Sequence, residues 1–194
     1  MASAAIDAFI TEPAGDDEVM ARILRRDANA FRQIVDVHAI ALHRIAFRMI
    51  GDAIEAEDIA QESLTRLWQH AGRWQGGGSG IAAWLTRVTM NQCLDRLRRR
   101  RFTSEEILPD RRDERPLAPA LIEIEQRRES VVAAIAALPD NQRAAIVLTY
   151  YEDQPNAVAA ENMDMNIKAF ESLLFRARTA LKRELIDTDA GDNR

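Results

Sequence analysis

The chain has 194 residues, a formal net charge of -5, 47% hydrophobic and 29% charged residues, and one cysteine. Those values suit one large or two small folded domains and exclude wholesale disorder and an internal disulfide framework. No apolar run approaches the roughly 20 residues of a membrane span, and the amino end lacks the basic start and apolar block of a signal peptide, so the expected location is cytoplasmic, with no membrane insertion.

Residues 1–16 read as a mobile tail whose Ile6, Phe9 and Ile10 are its few apolar side chains. Order is expected from about Asp17. Val19, Ile23, Phe31, Ile34, Val35, Leu42, Ile45 and Met49 recur at three- and four-residue intervals, which predicts two helices, the second stopped by Gly51. Asp52 followed by Glu55 has the form of a capping box and opens a third helix through "AIEAEDIAQESLTRLWQHA". The loop "GRWQGGGSG" precedes a fourth, "IAAWLTRVTMNQCLDRLRRRR", starting at Ser79 or Gly80. These helices make a first domain over 17–102. From 103 to 122 acid and base mix with three prolines and no apolar period, as a linker does. A second helical set spans 123–187: "EIEQRRESVVAAIAAL", a helix from Pro139 through "DNQRAAIVLTYYED", and two more separated by "MDMN", before a tail at 188–194. No strand-like alternation is convincing, so the fold class is all-α, two small helical domains joined by a flexible linker.

Three stretches carry chemistry. In the last two helices, a short segment containing Ala160, a tight turn and a longer helix capped by Asn166 form the pattern of a helix-turn-helix. Ile167, Phe170, Leu174, Ala177 and Leu181 make the inner face of the longer helix, leaving Lys168, Glu171, Ser172, Phe175, Arg176 and Arg178 outward as base and phosphate readers. An amphipathic hairpin with solvated cations near its carboxyl end explains the same pattern equally well. The second stretch places five arginines between Arg96 and Arg101, more than a helix dipole needs, which favours a polyanion partner. Asn91, Asp95, Arg98 and Arg99 share one face of that helix, and Trp84 lies on it one to two turns earlier, either as a stacking platform or as core. The third stretch is acidic: Glu55, Asp58, Glu62 and Gln69 form a stripe with Glu57 and Gln61 beside it, a solvated face or a surface for a basic protein.

In this order, "EAEDIAQESLTRLW", "AAWLTRVTMNQCLDRLRRRR", "LPDNQRAAIVLTYYED" and "KAFESLLFRARTALKREL" resemble the extracytoplasmic-function (ECF) sigma factors of the sigma-70 superfamily, from about Asp17 to Leu185. The resemblance implies a four-helix sigma-2-like domain and a sigma-4-like helix-turn-helix domain. It implies core RNA polymerase as a partner, through the β′ clamp helices and the β flap, with Asp58, Gln61, Glu62 and Trp68 binding core. Promoter DNA is implied at the minus-ten element, with Trp84, Asn91, Asp95, Arg98 and Arg99 in the interface and Asn91 helping to hold a flipped base. Lys168, Glu171, Ser172, Phe175, Arg176 and Arg178 would read the minus-thirty-five element, and an anti-sigma factor would restrain the whole.

Two departures from the family pattern are Asp164, where the turn normally has glycine, and Asn162, where an apolar residue is usual. A sigma-like decoy that binds an anti-sigma factor without touching promoters is the competing reading, and the retained DNA-facing groups weigh against it. An enzyme is not expected: His38, His43, His70 and Cys93 show no metal-ligand spacing, and no phosphate-binding glycine loop follows a strand, so neither metal nor cofactor is implied.

Overall fold

The computed structural model describes residues 15–74, 80–103 and 129–191. The amino-terminal tail, most of the glycine loop and nearly all of the linker assigned from sequence lie outside these. Every element among the described residues is helical: α1 (Asp16–Leu24), α2 (Ala28–Ile50), α3 (Ala53–His70), a 3-10 turn (Ala71–Arg73), α4 (Gly80–Thr103), α5 (129–137), α6 (Asp140–Ile146), α7 (Asn156–Asn162) and α8 (Ile167–Gly191). The protein is all-α.

Polar side chains set the helix boundaries. Asp27 accepts hydrogen bonds from Asn29 N and Ala30 N, at 2.9 and 3.2 Å, at the start of α2. Gly51 ends α2 with φ 77°, a left-handed position open to glycine at no steric cost. Asp52 then accepts from Glu55 N at 2.8 Å, as the capping pattern predicts, but the Glu55 carboxylate turns to Arg96 and Arg100 of α4. The start of α4 is capped from a distance: Asp16 Oδ2 accepts from Ile81 N at 2.8 Å, and its neighbour Asp17 accepts from Trp74 Nε1 at 2.8 Å. Two carboxylates of α1 thereby fasten both ends of the glycine loop.

In the amino-terminal group, Ile23, Ala30, Leu42, Leu67, Ile81 and Leu85 pack one end of the core. At the other end the core is shared. Met49 of α2 and Met90 and Leu97 of α4 belong to one continuous cluster with Ile146, Leu148 and Phe170 of the carboxyl-terminal group. The two helical groups therefore pack on each other, which periodicity within either could not foretell. Arg44 and Arg48 of α2 both reach Glu152, at 2.6 and 3.2 Å, and the Arg48 guanidinium lies 4.3 Å from the Tyr151 ring centroid. Arg87 meets Glu161 at 3.0 Å, and Arg101 meets Asp140 at 2.6 Å. In the opposite direction Arg143 donates to the Met49 carbonyl at 2.6 Å, and burial pulls this guanidinium below its ordinary pKa.

The segment after Pro139 is not one regular helix: α6 passes into a π turn over Val147–Tyr151. That widened turn carries Tyr151 and leads to Glu152, the residues that meet Arg48, and π turns often mark functional positions.

A Cβ at Gly80 would sit 2.6 Å from Asp16 Oδ2, at a residue whose φ is 84°. Gly80→Ala is expected to lower unfolding free energy by about 1–3 kcal/mol in a urea titration, through strain and loss of the remote cap. The Glu152 side chain is 8% exposed beneath two arginines. Glu152→Gln is expected to lose about 1–2 kcal/mol, less at high salt because Arg44 is half exposed.

Candidate nucleic-acid and polymerase interfaces

The helix-turn-helix is built by its turn. Asp164 takes φ 51°, Met165 N donates to Ala160 O at 2.9 Å and Asp164 N to Glu161 O at 3.1 Å, so the end of α7 is satisfied by a left-handed residue in the position glycine prefers. Asn166 Oδ1 accepts from Ala169 N at 2.9 Å and starts α8, the cap expected from sequence. Asn162 is buried, and its Nδ2 donates to Gln154 Oε1 at 2.9 Å, which satisfies a polar group in a place suited to an apolar one. The packing face of α8 is Phe170, Leu173, Leu174 and Ala177, with Leu181 half buried. Ile167, assigned inward from its spacing, is 45% exposed at the first position of α8, and Leu173 joins the inner face.

Lys168, Glu171, Ser172, Phe175, Arg176 and Arg178 are all exposed on α8, Phe175 at 68%. Five of them form one broad face. Arg178 stands at its edge, where with Lys182 it rims a groove of about 460 Å³ floored by Val131, Ile135, Ile146 and Leu181.

On α4, Asn91, Asp95, Arg98 and Arg99 lie exposed along one face, with Arg98 Nη2 2.7 Å from Asp95 Oδ1. Trp84 is half buried against the amino-terminal core, nearer to the packing reading than to a free stacking platform. The arginine run divides by task. Arg96 and Arg100 are tied to Glu55, Arg100 also donating to the Ile50 carbonyl at 3.3 Å, and they hold α4 to the α2–α3 corner. Arg101 crosses to α6. The run is thus partly structural.

Asp58, Gln61 and Glu62 lie together on the outer face of α3. Gln61 Nε2 donates to Glu57 Oε1 at 3.0 Å, and Glu62 pairs with Arg66 at 2.8 Å, which offsets part of the negative charge. Trp68 does not join that row: it is half buried, its ring 5.0 Å from Phe31 and 5.2 Å from the Arg26 guanidinium. Sequence reasoning missed Val37 and Ile40, 70% and 78% exposed on α2. Their signal was available, since both fall off the apolar period of that helix.

Among the described residues no group of three or more His, Cys, Asp or Glu side chains could hold a metal ion. Cys93 is buried in the core, and burial pushes its thiol up to about 12, so it is unreactive at neutral pH. No helix among the described residues is long and apolar enough to cross a membrane.

A four-helix amino-terminal group with a basic fourth helix, followed by a helix-turn-helix group, is the two-region architecture of the sigma-70 class. The model of sigma-70 region 2 matches residues 34–103, and that of sigma-70 region 4 matches residues 128–181. Similar curated proteins are the ECF RNA polymerase sigma factors SigL of Mycobacterium tuberculosis, 32% identical over 82% of this chain and 90% of its own, SigM of the same organism, 30% identical over 92% and 88%, and SigW of Bacillus subtilis, 24% identical over 86% and 94%. CnrH, solved in complex with the cytosolic domain of CnrY, has a TM-score of 0.65 at 25% identity over 90% of this chain and 98% of its own. RpoE of Bartonella quintana, solved with the anti-sigma factor NepR, shares the fold with a TM-score of 0.63 at 23% identity over 81% and 98%. The chain belongs to the ECF RNA polymerase sigma factors.

Glycine at position 164 adopts a left-handed φ without the clash that an L side chain meets there. Asp164→Gly is therefore expected to stabilise the chain by up to about 1 kcal/mol, read as a rise in thermal midpoint.

Proposed function

We propose that this chain is an alternative sigma factor that docks on core RNA polymerase through Asp58, Gln61 and Glu62 of α3, opens the minus-ten element with the Asn91 face of α4 and reads the minus-thirty-five element with α8. One observation carries the reading: a single chain presents two separate DNA-type faces, Asn91–Arg99 and Lys168–Arg176, on helices of different groups. Extruding a base from the stack costs a few kcal/mol, and Arg98 and Arg99 beside Asn91 supply phosphate contacts that offset it. Trp68 supports the docking helix from behind, holding α3 against Phe31. Trp84 likewise backs the DNA-facing helix from its half-buried place. The groove between α5, the π turn and α8 is apolar with a basic rim, and suits an apolar segment of the β flap.

The domain boundaries that go with this reading are a polymerase- and minus-ten-binding domain over 17–102, a linker over 103–122 and a minus-thirty-five-binding domain over 123–187. The chain acts in the cytoplasm and catalyses no reaction of its own. An anti-sigma factor restrains it; the fold shared with a sigma factor solved on its anti-sigma factor supports that partner.

Run-off transcription with purified core polymerase on genomic fragments tests the function: discrete new starts are expected, and their absence with folded protein and active core would leave the decoy. In the same assay Asn91→Ala is expected to slow open-complex formation about tenfold, the worth of one base contact, with core affinity unchanged. Asp58→Arg with Glu62→Arg should do the reverse, weakening core affinity while leaving the fold intact.

A further inference from the structure

We propose that Arg87 and Arg101 are a phosphate-binding edge of α4 that the carboxyl-terminal domain masks, so that promoter DNA and this domain compete for the same two guanidinium groups. The inference rests on the assignment of the Asn91 face to DNA. Arg87 precedes Asn91 by four residues and Arg101 follows Arg98 by three, so both border that face at helical spacing. Among the described residues, the ion pair of each goes to the other domain. Arg87 Nη2 lies 3.0 Å from Glu161 of α7, and Arg101 Nη2 lies 2.6 Å from Asp140 of α6. Arg96 and Arg100 contrast with them: Glu55 of the same domain keeps both, whatever the other domain does.

A carboxylate at 2.6–3.0 Å from a guanidinium offers the same kind of anionic oxygen that a backbone phosphate offers. Glu161 and Asp140 thus stand where phosphates would stand. The fit on Arg87 is incomplete, because its Nε is buried without a hydrogen-bond partner, leaving one tine of the donor fork unused. Arg101 retains 65% of its side-chain exposure, so it can turn to a new partner without unpacking the helix. When the domains part on polymerase, the acids leave with α6 and α7, and two cations are added to the single-strand surface. While the domains are closed, the same acids suppress non-specific binding.

The test uses the full-length protein and a fluorescein-labelled 20-nucleotide single strand of mixed sequence, read by anisotropy across a salt series. Asp140→Asn with Glu161→Gln is expected to tighten binding roughly three- to tenfold and to steepen the logarithmic salt slope by about 1.4, two single-strand phosphate contacts. Glu18→Gln with Asp36→Asn changes net charge equally at exposed sites on α1 and α2 and should change little. Adding Arg87→Ala and Arg101→Ala to the acid-neutralised chain should abolish the gain. The proposal is overturned if neutralising the two acids tightens binding no more than the control pair does, or if the gain survives loss of both arginines. Arg98→Ala with Arg99→Ala in the parent chain separates the two levels: weakened binding there with no effect at Arg87 and Arg101 sinks this inference alone, whereas no effect at either pair removes α4 from DNA altogether.

Discussion

The arrangement of this molecule depends on carboxylates that must serve arginines across a domain boundary. In each ion pair described between the two helical groups, the arginine belongs to the amino-terminal group, as Arg44, Arg48, Arg87 or Arg101, and the acid to the carboxyl-terminal one, as Asp140, Glu152 or Glu161. That one-sidedness turns two surfaces of opposite sign toward each other and fixes their register. It also accounts for a basic helix in a chain whose net charge is -5: much of the basic charge is answered internally, and only part of it faces outward.

Closure of this kind cannot be the state that engages a whole promoter. Elements centred about 25 base pairs apart are separated by ~85 Å of B-form duplex at 3.4 Å per base pair. A compact chain of this length has a radius of gyration of about 16 Å and a diameter near 40 Å. The faces of α4 and α8 proposed for DNA are both exposed in the closed form, but one globule cannot reach both elements at once. Engagement of both elements at once requires the two groups to part, and parting frees Arg87 and Arg101 from Glu161 and Asp140.

Local chemistry was legible in the sequence where it was local in space. The caps at Asp52 and Asn166, the stop at Gly51 and the outward face of α8 all follow from neighbours within one or two helical turns. The departure at Asp164 was readable as well, because the left-handed requirement belongs to the turn itself. What escaped was remote pairing. Asp16 capping α4 joins residues 65 positions apart, and Arg44 meets Glu152 across 108. Nothing in periodicity ties such positions together, so the five-arginine run looked like one polyanion site when two of its members brace a helix corner and a third crosses the interface. The π turn escaped for a related reason: it alters the register of an otherwise plausible helix without changing residue type.

The interface divides its work between apolar packing and charge. The cluster shared by the two groups holds the small Ala144, Ala145, Ala159 and Ala160 of α6 and α7 together with the larger Met49, Met90, Leu97, Ile146 and Leu148, so apolar burial carries most of the attachment. The ion pairs add orientation more than net stability, because desolvating charged partners cancels much of their attraction, and at exposed positions the remainder is worth about 1 kcal/mol or less. The seam is therefore held by apolar packing and aligned by arginine pairs, and a polyanion competes for the pairs alone, since a phosphate oxygen offers a guanidinium the same kind of acceptor that a carboxylate does.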